Sequence, residues 1–127
     1  MSEIVHSDRA PAPIGPYSQA ILAGDELFCS GQIPLDPASG EIVGEDAKTQ
    51  ARQVLANLQA VLAAAKFSAD EVVKTTIYLV DINDFAAVNG EYERIFSSAK
   101  PARSTVAVAA LPRGVRVEID AIAKRRR

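Results

Sequence analysis

A helical repeat of apolar residues between Asp46 and Ala65 constrains this chain more than any other feature of its sequence. Apolar side chains recur there at intervals of three and four residues, which places them along one side of an α-helix. Asp46 precedes the repeat as a candidate N-cap, and Lys66 follows it where a left-handed residue would end the helix at a cost of about 1–2 kcal/mol. The apolar side consists of Ala51, Val54, Leu55, Leu58, Val61, Leu62 and Ala65.

A second helix and several strands complete the predicted architecture. Asp84 is the predicted N-cap of the second helix, Gly90 weakens it by about 1 kcal/mol relative to alanine, and Pro101 ends it. Residues 1–16 are predicted to be a loop. The predicted strands cover residues 17–23, 27–33, 41–43, 72–80, 102–110 and 115–123, with Gly24-Asp25 as the turn of the first hairpin. This order, ββ(β)αβαββ, is typical of an α+β domain with two helices packed on one face of a mixed sheet.

The strands are apolar on both sides, although two helices can cover only one face of such a sheet. In residues 102–110, Val106 and Val108 point to one side, while Thr105, Ala107 and Ala109 point to the other, because side chains alternate along a strand. The uncovered face is too apolar to meet water over its whole area. We therefore expect another subunit to bury it; the alternative is a monomer that exposes small alanine side chains.

Composition and charge argue against several classes of function. The 127 residues fit one domain, and a net charge of −2 lacks the basic footprint of a nucleic-acid-binding protein. Residues 1–12 are expected to be a flexible start, and the basic residues 124–127 a solvated tail. The only histidine, His6, and the only cysteine, Cys29, argue against a zinc site, a histidine-based triad and an internal disulfide. Without a membrane-spanning run or a signal peptide, a cytoplasmic protein is expected.

Two charged residues in strands are the main candidates for chemistry. Arg103 begins a strand, where a guanidinium on a rigid element suits two-point capture of a small carboxylate. The alternative for Arg103 is a surface ion pair. Glu118 alternates with the apolar Val117 and Ile119, so it projects to the opposite face, where a carboxylate in a confined space could exchange protons with water. The alternative for Glu118 is an exposed charge on a half-wet strand.

Other residues give weaker signals of a site. Gly31, next to Ser30 inside a strand, marks either a place where a ligand meets the backbone or a β-bulge. Tyr17 can wall a pocket or simply pack, and Asn89 on the second helix can reach a cleft. Cys29 has no histidine or cation to activate it, which favours a buried structural thiol.

Five short blocks, in order, resemble the YjgF/RidA family of reactive intermediate deaminases over residues 10–123. The blocks are residues 14–20, 30–34, 73–76, 101–104 and 117–123. The resemblance implies a chorismate-mutase-like fold and a homotrimer with ligand sites in the clefts between subunits. It also implies hydrolysis of 2-iminobutanoate and 2-iminopropanoate to 2-oxo acids and ammonia, without a cofactor. Residue types, charge and hydropathy, as argued above, predict no metal and no nucleic-acid or membrane partner.

The resemblance further implies a role for each matching residue. Arg103 would grip the substrate carboxylate and Glu118 would hold and activate water. The substrate-binding residues would be Gly31 through its backbone N–H, Ser30 and Asn89 as lining of the cleft, Tyr17 as packing against the ligand, and Thr105. Thr105 stands where many members of the family carry a cysteine, and its hydroxyl can hydrogen-bond instead.

Two other functions stay open at the level of sequence. One is a trimer that binds a 2-oxo or amino acid without catalysis, although Glu118 favours an enzyme because an anion pocket gains little from a nearby carboxylate. The other is an endoribonuclease or translation inhibitor, a role ascribed to some relatives. The acidic pI and the lack of histidine or metal ligands weigh against it.

Overall fold

The computed structural model describes residues 2–126, which form one six-stranded sheet and two α-helices. The elements are β1 Ser2–Val5, β2 Ala20–Ala23, β3 Glu26–Gln32, α1 Ala47–Ala64, β4 Val72–Leu79, α2 Phe85–Phe96, β5 Ala102–Ala107 and β6 Val117–Lys124. The strand order is β1-β2-β3-β6-β4-β5; β4 and β5 are parallel, and the other neighbours are antiparallel. The predicted α+β class with a mixed sheet and two helices is confirmed.

Helix α1 forms where its apolar repeat predicts it. The Asp46 side chain accepts a hydrogen bond from the backbone N–H of Thr49 at 3.1 Å, and Lys66 ends the helix with a φ of 63°. The apolar side is buried except for the partly exposed Ala65. Burying one Leu or Val side chain contributes roughly 1.5–3 kcal/mol, so this side of α1 supplies much of the energy that holds the helix on the sheet.

Strand β6 lies at the centre of the sheet and separates the core from the opposite face. Val117, Ile119, Ala121 and Ala123 are at most 1% exposed on the side packed by the helices. On the opposite side, Glu118, Asp120 and Ile122 are half-buried and Lys124 is exposed. The alternation predicted for Glu118 is thus confirmed.

Asp84 occupies the N-cap position of α2, as predicted, but its side chain does not cap the helix. The side chain makes no cap hydrogen bond; its Oδ2 instead accepts from Arg116 Nη1 at 3.2 Å. Asp81 accepts from the backbone N–H of Asn83 at 2.9 Å and begins a 3₁₀ turn that runs directly into α2. Because this turn already supplies the first bends of the helix, the capping carboxylate lies three residues earlier than the apolar pattern suggests.

Several strands are shorter than predicted. β2 begins at Ala20, β5 ends at Ala107, and β6 begins at Val117. Residues 41–43 form only an isolated bridge from Ile42 to Leu35. β5 is an edge strand whose side chains are exposed or half-buried. Its apolar residues therefore gain little from burial, and the apolar pattern up to residue 110 does not continue the strand beyond Ala107.

The loop predicted for residues 1–16 is wrong at Ser2–Val5, which forms the edge strand β1 along β2; Met1 lies outside the described residues. The buried side chain of Gln19 explains how the following segment is held. Its Oε1 accepts from the backbone N–H of Ser7 at 2.6 Å, and its Nε2 donates to the carbonyl of Pro11 at 2.8 Å. Short edge strands carry little apolar pattern, so composition alone could not reveal β1.

The basic end of the chain is not the solvated tail that its composition predicts. Arg125 donates to the carbonyls of Ala65 and Lys66 at 3.2 Å, and its guanidinium lies 4.1 Å from the ring centroid of Phe67. Because the last carbonyls of a helix lack partners and carry partial negative charge, Arg125, which directly follows β6, satisfies the end of α1. Of the predicted tail, Arg127 lies outside the described residues.

Candidate functional site

A cavity of about 550 Å³ opens beside Glu118. It brings together three more of the predicted site residues, Tyr17, Ser30 and Gly31. Ser30 Oγ donates to the carbonyl of Ser18 at 2.6 Å, which ties the floor of the cavity to the segment that carries Tyr17. The remaining wall is formed by Pro11, Ala12, Ile14, Gln19, Gln32, Ile33, Leu35, Pro112 and Arg113.

Gly31 is needed because the Glu118 carboxyl group packs against its backbone. A Cβ atom on Gly31 would lie 2.8 Å from Glu118 Cδ and would overlap Oε2. The pairing of β3 with β6 also shifts register between Cys29 and Gln32. The bulge and the close approach, which the sequence offers as alternatives, therefore occur together: the bulge opens the strand and the missing side chain admits the carboxylate.

The surroundings of Glu118 favour its protonated form. Half-burial raises the pKa of Glu118, and the negative charge of Asp120, two residues along the same face of β6, raises it further. Among residues 2–126, no cation forms an ion pair with Glu118. A carboxylate in this setting is a stronger proton acceptor than a solvated one, as a group that activates water needs to be.

Arg103 lies in a different cavity, of about 370 Å³, with Asn89. Arg103 Nη1 donates to Asn89 Oδ1 at 2.7 Å, and the guanidinium carbon lies 4.9 Å from the ring centroid of Tyr92 and 5.3 Å from that of Phe85. The alternative of a surface ion pair is wrong, because Arg103 makes none within residues 2–126. Stacking and the amide contact hold the guanidinium without neutralising its charge, which suits an anion site.

Thr105 lines neither of these cavities. It follows Arg103 by two residues and so points to the same side of β5. Its Oγ1 atom is buried and has no hydrogen-bond partner among the described residues. An unsatisfied buried hydroxyl costs about 1–3 kcal/mol, so a ligand or a second chain that offered a partner would gain that energy.

The structure does not bring the two predicted catalytic residues together within one chain. Arg103 pairs with Thr75 of β4, whose buried hydroxyl bonds to Tyr92 on α2, and it therefore lies on the face covered by the helices. Glu118 pairs with Tyr78 of β4 on the opposite face. Within one chain, Arg103 and Glu118 thus line two separate cavities.

The remaining reactive groups do not contribute to either cavity. Burial, followed by the charge of Asp120, raises the pKa of Cys29 to about 12, so its thiol stays protonated. This agrees with the buried structural thiol that the sequence predicts. His6 Nε2 lies 3.2 Å from Asp8 Oδ1 and lines neither of the two cavities. Residues 2–126 contain no cluster of His, Cys, Asp or Glu suited to a metal ion, and no helix among them could span a membrane.

Sequence reasoning gave no role to three residues around Glu118. Asp120 shares its face, Tyr78 donates to Asp120 Oδ2 at 3.0 Å, and Arg113 lines the cavity. The i, i+2 spacing of Glu118 and Asp120 was a signal that could have predicted a carboxylate pair. The positions of Tyr78 and Arg113 depend on strand pairing and on a left-handed turn residue, which a single sequence does not reveal.

Comparisons with known proteins agree with this architecture. The model of the endoribonuclease L-PSP family matches residues 7–125. A RutC family protein of Pyrococcus horikoshii is 54% identical over 97% of this chain and 98% of its own length. The 2-iminobutanoate/2-iminopropanoate deaminase of Salmonella typhimurium is 48% identical over 99% of this chain and 100% of its own length.

Solved structures extend the agreement to three dimensions. A crystal structure from Thermotoga maritima is 47% identical, covers 100% of both chains and superposes with a TM-score of 0.98. E. coli TdcF, solved with bound serine, is 43% identical, covers 98% of this chain and 99% of its own, and has a TM-score of 0.92. A family match over nearly the whole chain, together with relatives this similar, shows that the chain belongs to the endoribonuclease L-PSP family, also called YjgF/RidA.

Proposed function

We propose that this protein hydrolyses reactive 2-imino acids, such as 2-iminobutanoate and 2-iminopropanoate, in sites that two subunits of a homotrimer complete together. The observation that carries the proposal is the pair of half-sites. One has a held, unneutralised guanidinium at Arg103, and the other has a carboxylate of raised pKa at Glu118. The first can bind the carboxylate of an acid, and the second can move a proton at the adjacent carbon.

The chemistry follows from placing the two halves around one substrate. Arg103 binds the carboxylate and so orients the neighbouring C=N carbon. Glu118 takes a proton from water as the water oxygen bonds to that carbon, and the C=N pair of electrons moves to nitrogen. That proton then passes from Glu118 to the nitrogen, which gives a carbinolamine with an OH and an NH2 group on the same carbon. Glu118 next takes the proton of this OH group, and a proton is delivered to the NH2 group. As the C=O bond forms, the C–N bond breaks, and the products are a 2-oxo acid and ammonia. The reaction consumes one water and needs no redox partner.

The surface of the single chain is compatible with assembly. On the face that the helices leave uncovered, Phe28 is 43% exposed and Val106 is 42% exposed. Large apolar side chains on the open side of a sheet favour burial against another copy of the chain. A second copy packed there would also bring new residues to the cavity beside Glu118.

The relatives support the substrate class. The Salmonella relative is named for 2-iminobutanoate and 2-iminopropanoate, and TdcF was solved with serine, which is itself a small carboxylate. Other relatives carry the general name RutC, and the family model is described as an endoribonuclease. The test must therefore separate an imine hydrolase from a carboxylate-binding protein and from a ribonuclease.

The deciding experiment generates the imino acid in place with an amino-acid dehydratase, in the presence of an amine that traps the imine. We expect the protein to divert the imine to the 2-oxo acid at substoichiometric concentration, and Arg103→Ala to lose nearly all of that activity. Carboxylate binding without faster oxo-acid release would indicate a binding protein. RNA binding with a steep salt dependence, together with RNA cleavage, would indicate a ribonuclease.

A further inference from the structure

Three titratable side chains lie together on the uncovered face of the sheet, beside the cavity. Glu118 and Asp120 are two residues apart on β6 and therefore point to the same face. Tyr78 of β4 pairs with Glu118 in the strand register. The Tyr78 hydroxyl nevertheless donates to Asp120 Oδ2, at 3.0 Å, and not to Glu118. The mechanism proposed above uses only Glu118 and leaves the other two groups without a role.

The two carboxylates have different surroundings. The Asp120 carboxylate accepts a hydrogen bond from the Tyr78 hydroxyl, which holds it in place. Glu118 packs against the backbone of Gly31, is half-buried, and has no ion pair among the described residues. Half-burial and the charge of Asp120 therefore both raise the pKa of Glu118.

No cation in residues 2–126 forms an ion pair with Glu118 or Asp120. Strand β3 contributes the uncharged Ser30 and Gly31, and β4 contributes Thr76, Tyr78 and Lys74, whose Nζ donates to Ser104 Oγ at 3.0 Å. In the proposed trimer, the Arg103 guanidinium of a neighbouring subunit would also face Glu118, in the wild type and in Asp120→Asn alike. The remaining titratable groups that line the cavity or precede Glu118 are Tyr17, Arg113, whose Nη1 donates to the carbonyl of Gly40 at 2.7 Å, and Arg116, whose guanidinium donates to Asp84 and to the carbonyl of Glu45.

We propose that Asp120 is a positioning residue that makes Glu118 a stronger base, and that Tyr78 fixes Asp120 in the place from which it does so. The role of Glu118 as a base rests on the proposed function; the coupling of the three groups does not. Because Glu118 and Asp120 are two residues apart on one strand, their side chains start roughly 7 Å from each other. This distance is within the screening length of about 8 Å at physiological salt. Their repulsion therefore acts in solution at ordinary ionic strength.

The coupling has two opposite consequences for catalysis. With Asp120 charged, Glu118 loses its proton at higher pH, so the rising limb of the pH–rate profile lies at higher pH. Once ionised, this more basic Glu118 takes a proton from water more readily, so the plateau rate is higher. Removing the charge should move the limb to lower pH and lower the plateau, whereas damage to packing alone would lower the rate at every pH without moving the limb.

The test follows the Glu118 carboxyl carbon by NMR during a pH titration, in the wild type and in Asp120→Asn, with Glu118→Gln to assign the signal. We expect the midpoint to lie at lower pH in Asp120→Asn. The matched control is Asp70→Asn, which also removes one negative charge. Asp70 lies on a turn before β4, roughly 20 Å from Glu118 along the strand direction. Tyr78→Phe should shift the midpoint in the same direction by less. In wild-type protein, about 1 M salt should move it toward that of Asp120→Asn, because the screening length falls to about 3 Å.

A Glu118 titration that Asp120→Asn leaves unchanged, or that Asp70→Asn shifts equally, overturns the proposal. The wild-type salt titration decides it if Asp120→Asn fails to fold. The NMR measurement needs no turnover, so a protein without imine hydrolysis would sink the proposed function while the coupling was still tested. With turnover present, a plateau that falls in Asp120→Asn with no movement of the rising limb would assign Asp120 a purely structural role.

Discussion

Arg103 and Glu118 lie on opposite faces of one sheet, although both pair with the same strand, β4. Arg103 is opposite Thr75, whose hydroxyl is buried under α2, and Glu118 is opposite Tyr78 on the uncovered face. Side chains on opposite faces of a sheet point away from each other, so these two groups cannot meet around one small ligand within one chain. If both act on the same substrate, they act from different copies of the chain.

Subunit mixing tests this directly. Arg103→Ala and Glu118→Gln should each be inactive alone, but co-refolding equal amounts should restore activity. In a closed ring, a site needs Arg103 from one chain and Glu118 from its neighbour, so random assembly gives both in about a quarter of the sites. Oxo-acid release per site, compared with wild type treated in the same way, measures this fraction.

The matched control for subunit mixing is Arg103→Ala mixed with the double variant Arg103→Ala/Glu118→Gln. In this mixture no chain has the guanidinium of Arg103. That mixture should stay inactive. If the first mixture also stays inactive, although the chains exchange, the two residues do not share an intersubunit site.

Asn89 should set how well Arg103 is held for binding. Its Oδ1 accepts from Arg103 Nη1 at 2.7 Å, and Asn89→Ala removes this anchor while leaving the stacking on Tyr92. A hydrogen bond to a charged group contributes about 1.5–3 kcal/mol, and the exposure of this one places it at the low end, so we expect KM to rise roughly tenfold. Steady-state kinetics should show a smaller change in kcat. Asn83→Ala, on the turn before α2, serves as the control; an unchanged KM in Asn89→Ala would contradict the anchoring role.

The parts of this fold that a short-range pattern dictates could be predicted from sequence. The α1 repeat and the outward side of Glu118 follow from periods of 3.6 and 2, which one chain segment contains in full. The side of β5 that carries Arg103 could not be predicted, because both sides of that strand mix small and apolar residues. The docking of Arg125 on the end of α1 and the pairing of β1 with β2 join segments far apart in sequence, and only the folded chain brings their polar groups together.

Gly31 should be irreplaceable for a local reason. In Gly31→Ala, the new Cβ atom would overlap the Glu118 carboxyl group, so Glu118 must turn out of the cavity. We expect a folded protein whose kcat falls by more than tenfold, since a misplaced catalytic group costs on the order of 100-fold in the rate.

Gly90→Ala is the matched control for Gly31→Ala. A Cβ atom there meets nothing within 4 Å, and the position lies inside α2. Alanine should stabilise the helix by about 1 kcal/mol and leave kcat unchanged. Equal losses of kcat in both variants would show that the effect at position 31 is not a clash with Glu118.

Glu118 should make the folded state less stable as its carboxyl group ionises. Burial and Asp120 raise its pKa in the folded protein above 4.5, so the folded state binds more protons than the unfolded state between the two pKa values. Stability therefore falls as pH rises through this window and stays reduced above it. Glu118→Gln removes the charge, so we expect a higher unfolding temperature than wild type near pH 7 and little difference near pH 4.

Glu71→Gln provides a control of opposite sign. Hydrogen bonds from the backbone of Ser68 and Arg126 lower the pKa of Glu71, so its ionised form stabilises the fold above its unfolded pKa, and this contribution is lost as pH falls. Glu71→Gln should lower the unfolding temperature near pH 7, with a smaller effect at low pH. Thermal unfolding of both variants at the two pH values checks the signs together. A Glu118→Gln protein less stable than wild type near pH 7 would mean that the ionised carboxylate has a partner that offsets its burial, and the strong-base role would then lose its physical cause.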